Sequence, residues 1–234
     1  MRLYDPVTGR SAGLFLSAAL LLTACAPQKP VTAELAPRTL KAVNLEETVS
    51  LRDEVMLAYS LTSYDAAGKP VAVVNGAWGV QPIKKGEQLT LTNAAPIQLP
   101  LPRNGRVVAS LVLIEVDDYA QAQQTLAQVR KVHNLVSAPA ALLLTATELL
   151  TPLKYVTAGL AAAGVGFQLV DRLDNDDLLG QSSSELREAD VRRTGQSSLR
   201  VPARFSGQNL RDSFEYELVY DLVLKSFKIQ SRRQ

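Results

Sequence analysis

The sequence has few of the residues that carry disulfide or histidine chemistry. Among its 234 residues there is one cysteine, Cys25, one histidine, His133, and one tryptophan, Trp78. A single cysteine excludes a disulfide within the chain, so the folded core must be held by packing. His133 lies among residues with helical spacing, where a single histidine is more typical of surface or packing positions than of catalysis.

The motifs of several enzyme classes are also absent. The chain has no glycine-rich phosphate loop, no His-Glu-x-x-His and no Gly-x-Ser-x-Gly. A hydrolase that uses two carboxylates, Glu115 and Asp177, is formally possible, but no aromatic-rich cleft sequence accompanies them. The net charge of +2 does not favour a nucleic-acid partner. The sequence therefore favours a function that is not catalytic and does not involve nucleic acid.

The N-terminus carries a targeting pattern. Arg2 and Arg10 precede an apolar stretch, residues 13–25, that is too short to span a bilayer comfortably and ends in Leu-Thr-Ala-Cys at Cys25. This pattern resembles the bacterial lipoprotein signal, which implies a signal peptide over 1–24 and a covalent lipid on Cys25. An ordinary signal peptide with an incidental cysteine is the alternative. Ala26 resembles the residue after the cysteine in signals sorted to the outer membrane, so the resemblance implies a lipid-anchored protein of the bacterial cell envelope.

The mature chain divides into a tether and one domain. Residues 25–52 are rich in proline and show no apolar period, which predicts a lipidated cysteine followed by a flexible tether. Residues 53–230 have a length that suits one domain. We expect the tether to hold that domain off the membrane surface.

Alternating side chains predict a mainly β fold. Val55, Leu57, Tyr59 and Leu61 share one face of an extended segment, and residues 214–225 alternate in the same way. Two further segments have distinct patterns. Residues 106–116 are almost continuously apolar, which predicts a central strand covered on both faces, and Pro202 within 198–206 predicts an edge strand. Together these segments predict an antiparallel β-sandwich.

The middle of the chain predicts a helical insertion. Apolar residues recur at near-helical spacing from Tyr119 onward, and between 138 and 170 the only charged residues are Glu148 and Lys154. We therefore expect a two- to three-helix insertion at about 119–170. One interpretation is a helical hairpin packed on the sandwich, and the other is a segment that enters lipid or binds a partner. The two charges leave no clean stretch of about twenty apolar residues, which favours the packed hairpin.

Acidic residues lie at both ends of this insertion. The predicted central strand runs into one acidic stretch, and the chain returns through a second one just before Leu178-Leu179-Gly180. If the insertion is a helical excursion, its two ends should meet at one end of the sandwich. The acids that would meet are Glu115, Asp117, Asp118, Asp174, Asp176 and Asp177.

The two acidic stretches, "IEVDD" and "NDDLLG", resemble the C-two domain family of calcium- and phospholipid-binding β-sandwiches, known from protein kinase C and synaptotagmin. The resemblance implies an eight-stranded sandwich with calcium ligands at Glu115 and Asp117 from one side and at Asp176 or Asp177 from the other. The sequence departs from the family in two ways. More than fifty residues separate the two stretches, and the segment that would match the family's other binding loop offers only Asp65.

Clustered carboxylates favour a cation on physical grounds. Two carboxylates about 5 Å apart repel by roughly 3 kcal/mol at an effective dielectric constant of 20. The carboxyl groups of a cluster therefore either have raised pKa values or bind a cation. Ca²⁺ suits such a site because it takes six to eight oxygen ligands in flexible geometry. The alternative is that the acids cap helices and form turns.

These observations predict a membrane-anchored binding module that is not catalytic. Its partners would be the membrane, through the lipid, and an envelope protein or a surface that the acidic cluster holds with Ca²⁺. The alternative is a structural scaffold lipoprotein of an envelope or secretion complex, which docks through its helical insertion or a sheet edge.

Overall fold

The computed structural model describes residues 31–46, 51–116, 178–209 and 212–226. These ranges contain nine strands and one helix. In chain order they are β1 Val31–Asn44, β2 Arg52–Tyr64, β3 Pro70–Lys84, β4 Gln88–Thr90, β5 Ile97–Leu101, β6 Arg106–Glu115, β7 Leu178–Arg187, α1 Glu188–Thr194, β8 Ser198–Asn209 and β9 Asp212–Ser226.

The strands form two antiparallel sheets. The first sheet has the order β4-β1-β9-β8, and β5 also pairs with β1. The second has the order β3-β2-β6-β7. The prediction of a mainly β fold with antiparallel strands is confirmed at this level.

One hydrophobic core lies between the two sheets. Alternate residues of each strand point into it, such as Leu57 and Tyr59 of β2, Leu111 of β6, and Leu218 and Leu222 of β9, all with no exposed surface. Full burial of an aliphatic side chain of this size contributes about 1.5–3 kcal/mol to folding. Because the chain can form no disulfide within itself, this packing must supply its stability.

The predicted tether over 25–52 is wrong for half of its length. Residues 31–44 form β1, which lies inside the first sheet between β9 on one side and β4 and β5 on the other. Ala33 and Leu35 point into the core before a bulge at Pro37–Thr39, and Leu40 and Ala42 do so after it. The bulge shifts the inward positions from odd to even numbers, which hides the period of two.

Pro37 is compatible with an interior strand because of its position. On one side of β1, β5 pairs with residues 31–35 and β4 pairs with residues 39–41, so Pro37 lies in the gap between these partners. The amide hydrogen that proline lacks is therefore not needed there.

Other sequence predictions are confirmed. β6 is buried on both faces over nearly its whole length, as its continuous apolar run predicts. β8, which contains Pro202, is an edge strand of the first sheet among the described strands. The chain re-enters the second sheet at Leu178, where β7 begins.

The predicted helical insertion at about 119–170 lies outside the described residues, as do the predicted signal peptide and Cys25. The helix that the structure describes, α1, was not predicted because it is only seven residues long. Gly195 ends it in the left-handed conformation, with a φ of 70°. Within the described ranges, no helix is long and apolar enough to cross a membrane.

Candidate functional site at the acidic end

The chain leaves and re-enters the second sheet at the same end. β6 ends at Glu115, β7 begins at Leu178, and Ile114 pairs with Leu178 across the two strands. The pairing of β6 with β2 continues to Val116, whose N–H donates to the carbonyl of Glu54 at 2.8 Å. We call this region, where residues 116 and 178 flank the undescribed segment, the acidic end.

Glu115 points inward at the acidic end. It shares the face of β6 that carries Leu111 and Leu113 into the core, and only 7% of its surface is exposed. It lies directly opposite Val55, which is also a core residue. Its carboxyl group therefore lies at the margin of the core.

Asp53 and Tyr216 extend this buried polar cluster. Asp53 lies on the inward face of β2, two residues before Val55, and has no exposed surface. Tyr216 of β9 points inward from the first sheet. The Tyr216 hydroxyl donates a hydrogen bond to Oδ2 of Asp53, and the backbone N–H of Glu46 donates to the same oxygen at 2.8 Å. The cluster thus links the two sheets at the acidic end.

Tyr216 is held in its protonated form. Burial of the ring is the main cause that raises the pKa of Tyr216 far above its usual value, followed by the hydrogen bond to Asp53 and the charge of that carboxyl group. The hydroxyl therefore remains a donor to Asp53 over the physiological pH range. This bond joins β9 of the first sheet to β2 of the second at the base of the acidic end.

The structure describes one of the six predicted calcium ligands, Glu115. The other five are outside the described residues, so the distance between Asp117 and Asp176 stays untested; they are Asp117, Asp118, Asp174, Asp176 and Asp177. Among the residues that the structure does describe, no group of three or more His, Cys, Asp or Glu side chains could hold a metal ion.

Sequence reasoning missed Asp53 as a member of the cluster. The signal was present, because Asp53 continues the period of two through Val55 and Leu57 and therefore belongs to the inward face. An acid at the inward position of a strand end is unusual, since carboxylates are rarely buried without a partner. Its partner, Tyr216, lies 163 residues away in the chain and cannot be inferred from spacing.

Asp65 lies at the opposite end of the sheet from Glu115. It follows β2 in the turn to β3, and its Oδ1 accepts hydrogen bonds from the N–H groups of Ala67 and Lys69 at 2.9 and 2.8 Å. The side chain therefore caps its own turn. It does not belong to the acidic end, so the resemblance to the C-two family gains no ligand from it.

An open cleft of about 450 Å³ lies beside this turn. Both arginines that line it are paired, because Arg106 Nη1 and Arg187 Nε donate to Glu185 at 3.1 and 2.5 Å. The guanidinium of Arg106 also lies 4.7 Å from the centre of the Tyr64 ring. We interpret this end as an ion-paired surface.

The outer face of the first sheet carries cross-strand ion pairs. Asp221 accepts hydrogen bonds from Arg38 at 2.7 Å and from Arg200 at 3.0 Å. Burial alone would raise the pKa of Asp221, but the bonds from Arg200 and Arg38 outweigh it and hold that pKa below its usual value. A second such pair joins Arg204 to Glu215. This face is a charged, solvated surface.

Comparison with known proteins assigns no family to this architecture. No family model, no curated protein and no solved structure matches the chain.

Proposed function

We propose that this chain is a lipid-anchored protein of the bacterial cell envelope whose two-sheet domain is a non-catalytic, calcium-dependent binding module. The lipid is carried by Cys25 after removal of residues 1–24. The binding surface is the acidic end. The observation that carries the proposal is the pairing of Ile114 with Leu178, which brings the two ends of the undescribed segment to one place.

Chain connectivity limits how far apart the two acidic stretches can lie. Asp117 directly follows Val116, and Asp177 directly precedes Leu178. At a maximum of about 3.8 Å per residue, the Cα atoms of these two aspartates are within roughly 20 Å of each other. A separation below this limit allows the carboxylates to converge on one Ca²⁺, and an envelope site needs a dissociation constant of only about 10⁻⁴ to 10⁻³ M.

The fold that best accommodates this site is a C-two-like β-sandwich with a two- to three-helix insertion at about 119–170. Two antiparallel sheets around one core support it. Because Asp65 lies at the opposite end, all protein ligands would come from the two acidic stretches. Glu115, fixed beside Asp53 and Tyr216, would form the inner side of the site.

The acidic end points away from the lipid anchor. β1 begins at Val31, only six residues after Cys25, and Val31 pairs with Leu101 close to the turn that precedes β6. β1 then runs to the acidic end, where Ala42 pairs with Tyr216. Six residues reach roughly 20 Å at most, so the anchor would hold the end with the β2–β3 turn near the membrane. The partner of the acidic end is therefore an envelope protein or a surface other than the anchoring lipid.

A calcium titration tests the site. We expect millimolar Ca²⁺ to raise the Tm of the wild-type protein, because the ion binds the folded state in preference to the unfolded chain. The double variant Asp117→Asn with Asp176→Asn should lose this rise. Asp190→Asn is the matched control, since Asp190 lies on α1 in an exposed ion pair with Arg193, and it should keep the rise in full. A wild-type Tm that does not respond to millimolar Ca²⁺ would contradict the proposal.

A scaffold that docks through a sheet edge is the second candidate. β3 is a 15-residue strand that ends the second sheet among the described strands, which is the position at which a strand of a partner would add. A scaffold of this kind should bind its partner equally well with Ca²⁺ and with a chelator, which separates it from the calcium-dependent module.

A further inference from the structure

The outer face of the second sheet is buried, although it points away from the core. Alternate residues of β2, β3 and β6 point to this face, and none of the eleven exposes more than 7% of its surface. We call this set the outer patch; it consists of Met56, Ala58, Ser60, Thr62, Val73, Asn75, Ala77, Val108, Ser110, Val112 and Ile114. None of its members belongs to the core cluster between the sheets.

The described elements do not account for this burial. β5 and β8 contact the second sheet from the core side, where they contribute Leu99 and Phe205. α1 follows β7 and contacts that strand beside the outer patch. The atoms that cover the outer patch therefore belong to something other than the described elements.

The cover has a limited extent. On one side of the outer patch, Ser183 and Glu185 of β7 are exposed, and beyond its last row on β3, Val71 is 42% exposed. Burial of this face thus runs along most of β6 and β2 and the middle of β3, and it stops at β7 and at Val71. A compact segment fits such a local cover better than an extended surface does.

A polar row across the outer patch indicates the chemistry of its cover. Asn75, Ser60 and Ser110 lie side by side on three neighbouring strands. The hydroxyl groups of Ser60, Thr62 and Ser110 are buried and find no hydrogen-bond partner among the described residues. A cover of lipid acyl chains would leave these hydroxyls without partners, whereas polypeptide offers backbone and side-chain groups to bind them.

We propose that the outer patch is the docking surface for residues 117–177 of the same chain. This 61-residue segment begins at the end of β6, which is a strand of the outer patch, and returns in the neighbouring strand β7. Between 138 and 170 it is apolar apart from Glu148 and Lys154, which matches the many alanine, valine and isoleucine side chains of the outer patch. The segment is joined to β6 at one end and to β7 at the other, so both of its ends lie beside the outer patch. The proposal does not depend on calcium binding.

Photo-cross-linking tests the proposal with an almost unchanged protein. The chain contains two methionines, Met1, which lies in the predicted signal peptide, and Met56, which lies in the outer patch. Incorporation of photo-methionine therefore places one diazirine in the mature chain, at Met56. After irradiation and digestion of the processed protein, which lacks Met1, we expect cross-links within one chain from Met56 to peptides of 117–177, beside links to strand neighbours such as Ile114.

A relocated methionine is the matched control. The variant Met56→Leu with Val219→Met moves the diazirine to the outer face of the first sheet, beside Glu217 and Asp221, and should yield no cross-link to 117–177. Three results from the wild-type sequence would overturn the proposal. They are covalent dimers linked through Met56, cross-links to phospholipid in proteoliposomes, and links to strand neighbours alone.

Discussion

At the residue scale, the hydrogen bond from Tyr216 to Asp53 is the side-chain contact that joins the two sheets at the acidic end. The alternation of β9 already predicts that Tyr216 lies on the same face as Leu218 and Leu222. The identity of its partner depends on how the two sheets face each other, which no local pattern contains. Because Asp53 is a carboxyl group, this hydrogen bond should be stronger than one between two neutral groups.

Replacement of Tyr216 by phenylalanine should destabilise the domain. The variant keeps the ring in the core but removes a donor from a buried carboxyl group, and we expect a loss of about 1.5–3 kcal/mol in the free energy of unfolding by urea. Tyr220→Phe is the control, because the Tyr220 hydroxyl donates to the neutral Ser184 at 2.9 Å, and it should cost about 0.5–1.5 kcal/mol. Equal losses in both variants would argue against a special role for Asp53.

The same residue predicts a pH dependence. The pKa of Tyr216 is raised in the folded protein, while an unfolded tyrosine titrates near pH 10. The stability linked to protonated Tyr216 is therefore fully present below about pH 10 and is lost as the pH rises further, by roughly 1.4 kcal/mol per pH unit. Between pH 10 and 11, the free energy of unfolding of Tyr216→Phe, measured by urea denaturation, should decline less steeply than that of the wild type. A decline as steep as that of the wild type would exclude Tyr216 as its source.

At the element scale, β1 shows why a strand can look like a tether. Its inward residues occupy odd positions up to Leu35 and even positions from Leu40, so neither half gives a long alternating run. Pro37 adds to the misleading pattern, because proline is usually found outside interior strands. Only the gap between β4 and β5 explains why the proline is compatible with the sheet.

Removal of the bulge should disrupt the domain. Deletion of Arg38 places Leu40 and Ala42 on the outer face of the first sheet, because a shift of one residue turns every following side chain to the other face. We expect loss of the cooperative thermal transition followed by circular dichroism. Arg38→Ala keeps the backbone length and removes only the partly exposed pair with Asp221, so it should cost no more than about 1 kcal/mol. A deletion variant that melts like Arg38→Ala would show that the bulge does not set the register.

At the scale of the whole molecule, the direction of β1 would separate the proposed lipid anchor from the acidic end. The hairpin of β2 and β3 provides two exposed labelling positions that report on this orientation. Ala67 lies in its turn, and Lys85 follows β3 close to Ala42, whose carbonyl accepts the N–H of Gly86 at 2.7 Å. Since β2 has 13 residues, the two positions are separated by roughly 40 Å.

Fluorescence quenching can measure the orientation on vesicles. Ala67→Cys or Lys85→Cys supplies a single reactive thiol for a fluorophore, because Cys25 is expected to be blocked by lipid. With a quencher on the lipid headgroups, we expect strong quenching of the probe at position 67 and little at position 85, since quenching falls steeply with distance. In non-lipidated Cys25→Ala versions, neither probe should be quenched by the labelled lipid. Stronger quenching at position 85 would mean that the acidic end faces the anchoring membrane.

The sequence by itself determined the class of the fold and several of its strands, because alternation over β2 and β9 and the continuous apolar run of β6 are local signals of one- and two-sided burial. It also located the re-entry of the chain at Leu178. Tertiary structure alone decided the register of β1, the link from Asp53 to Tyr216 and the separation of Asp65 from Glu115. The physical reason is that a side-chain period specifies the face of a strand, whereas the end of the domain at which a residue lies and the partner it meets depend on pairing between distant strands.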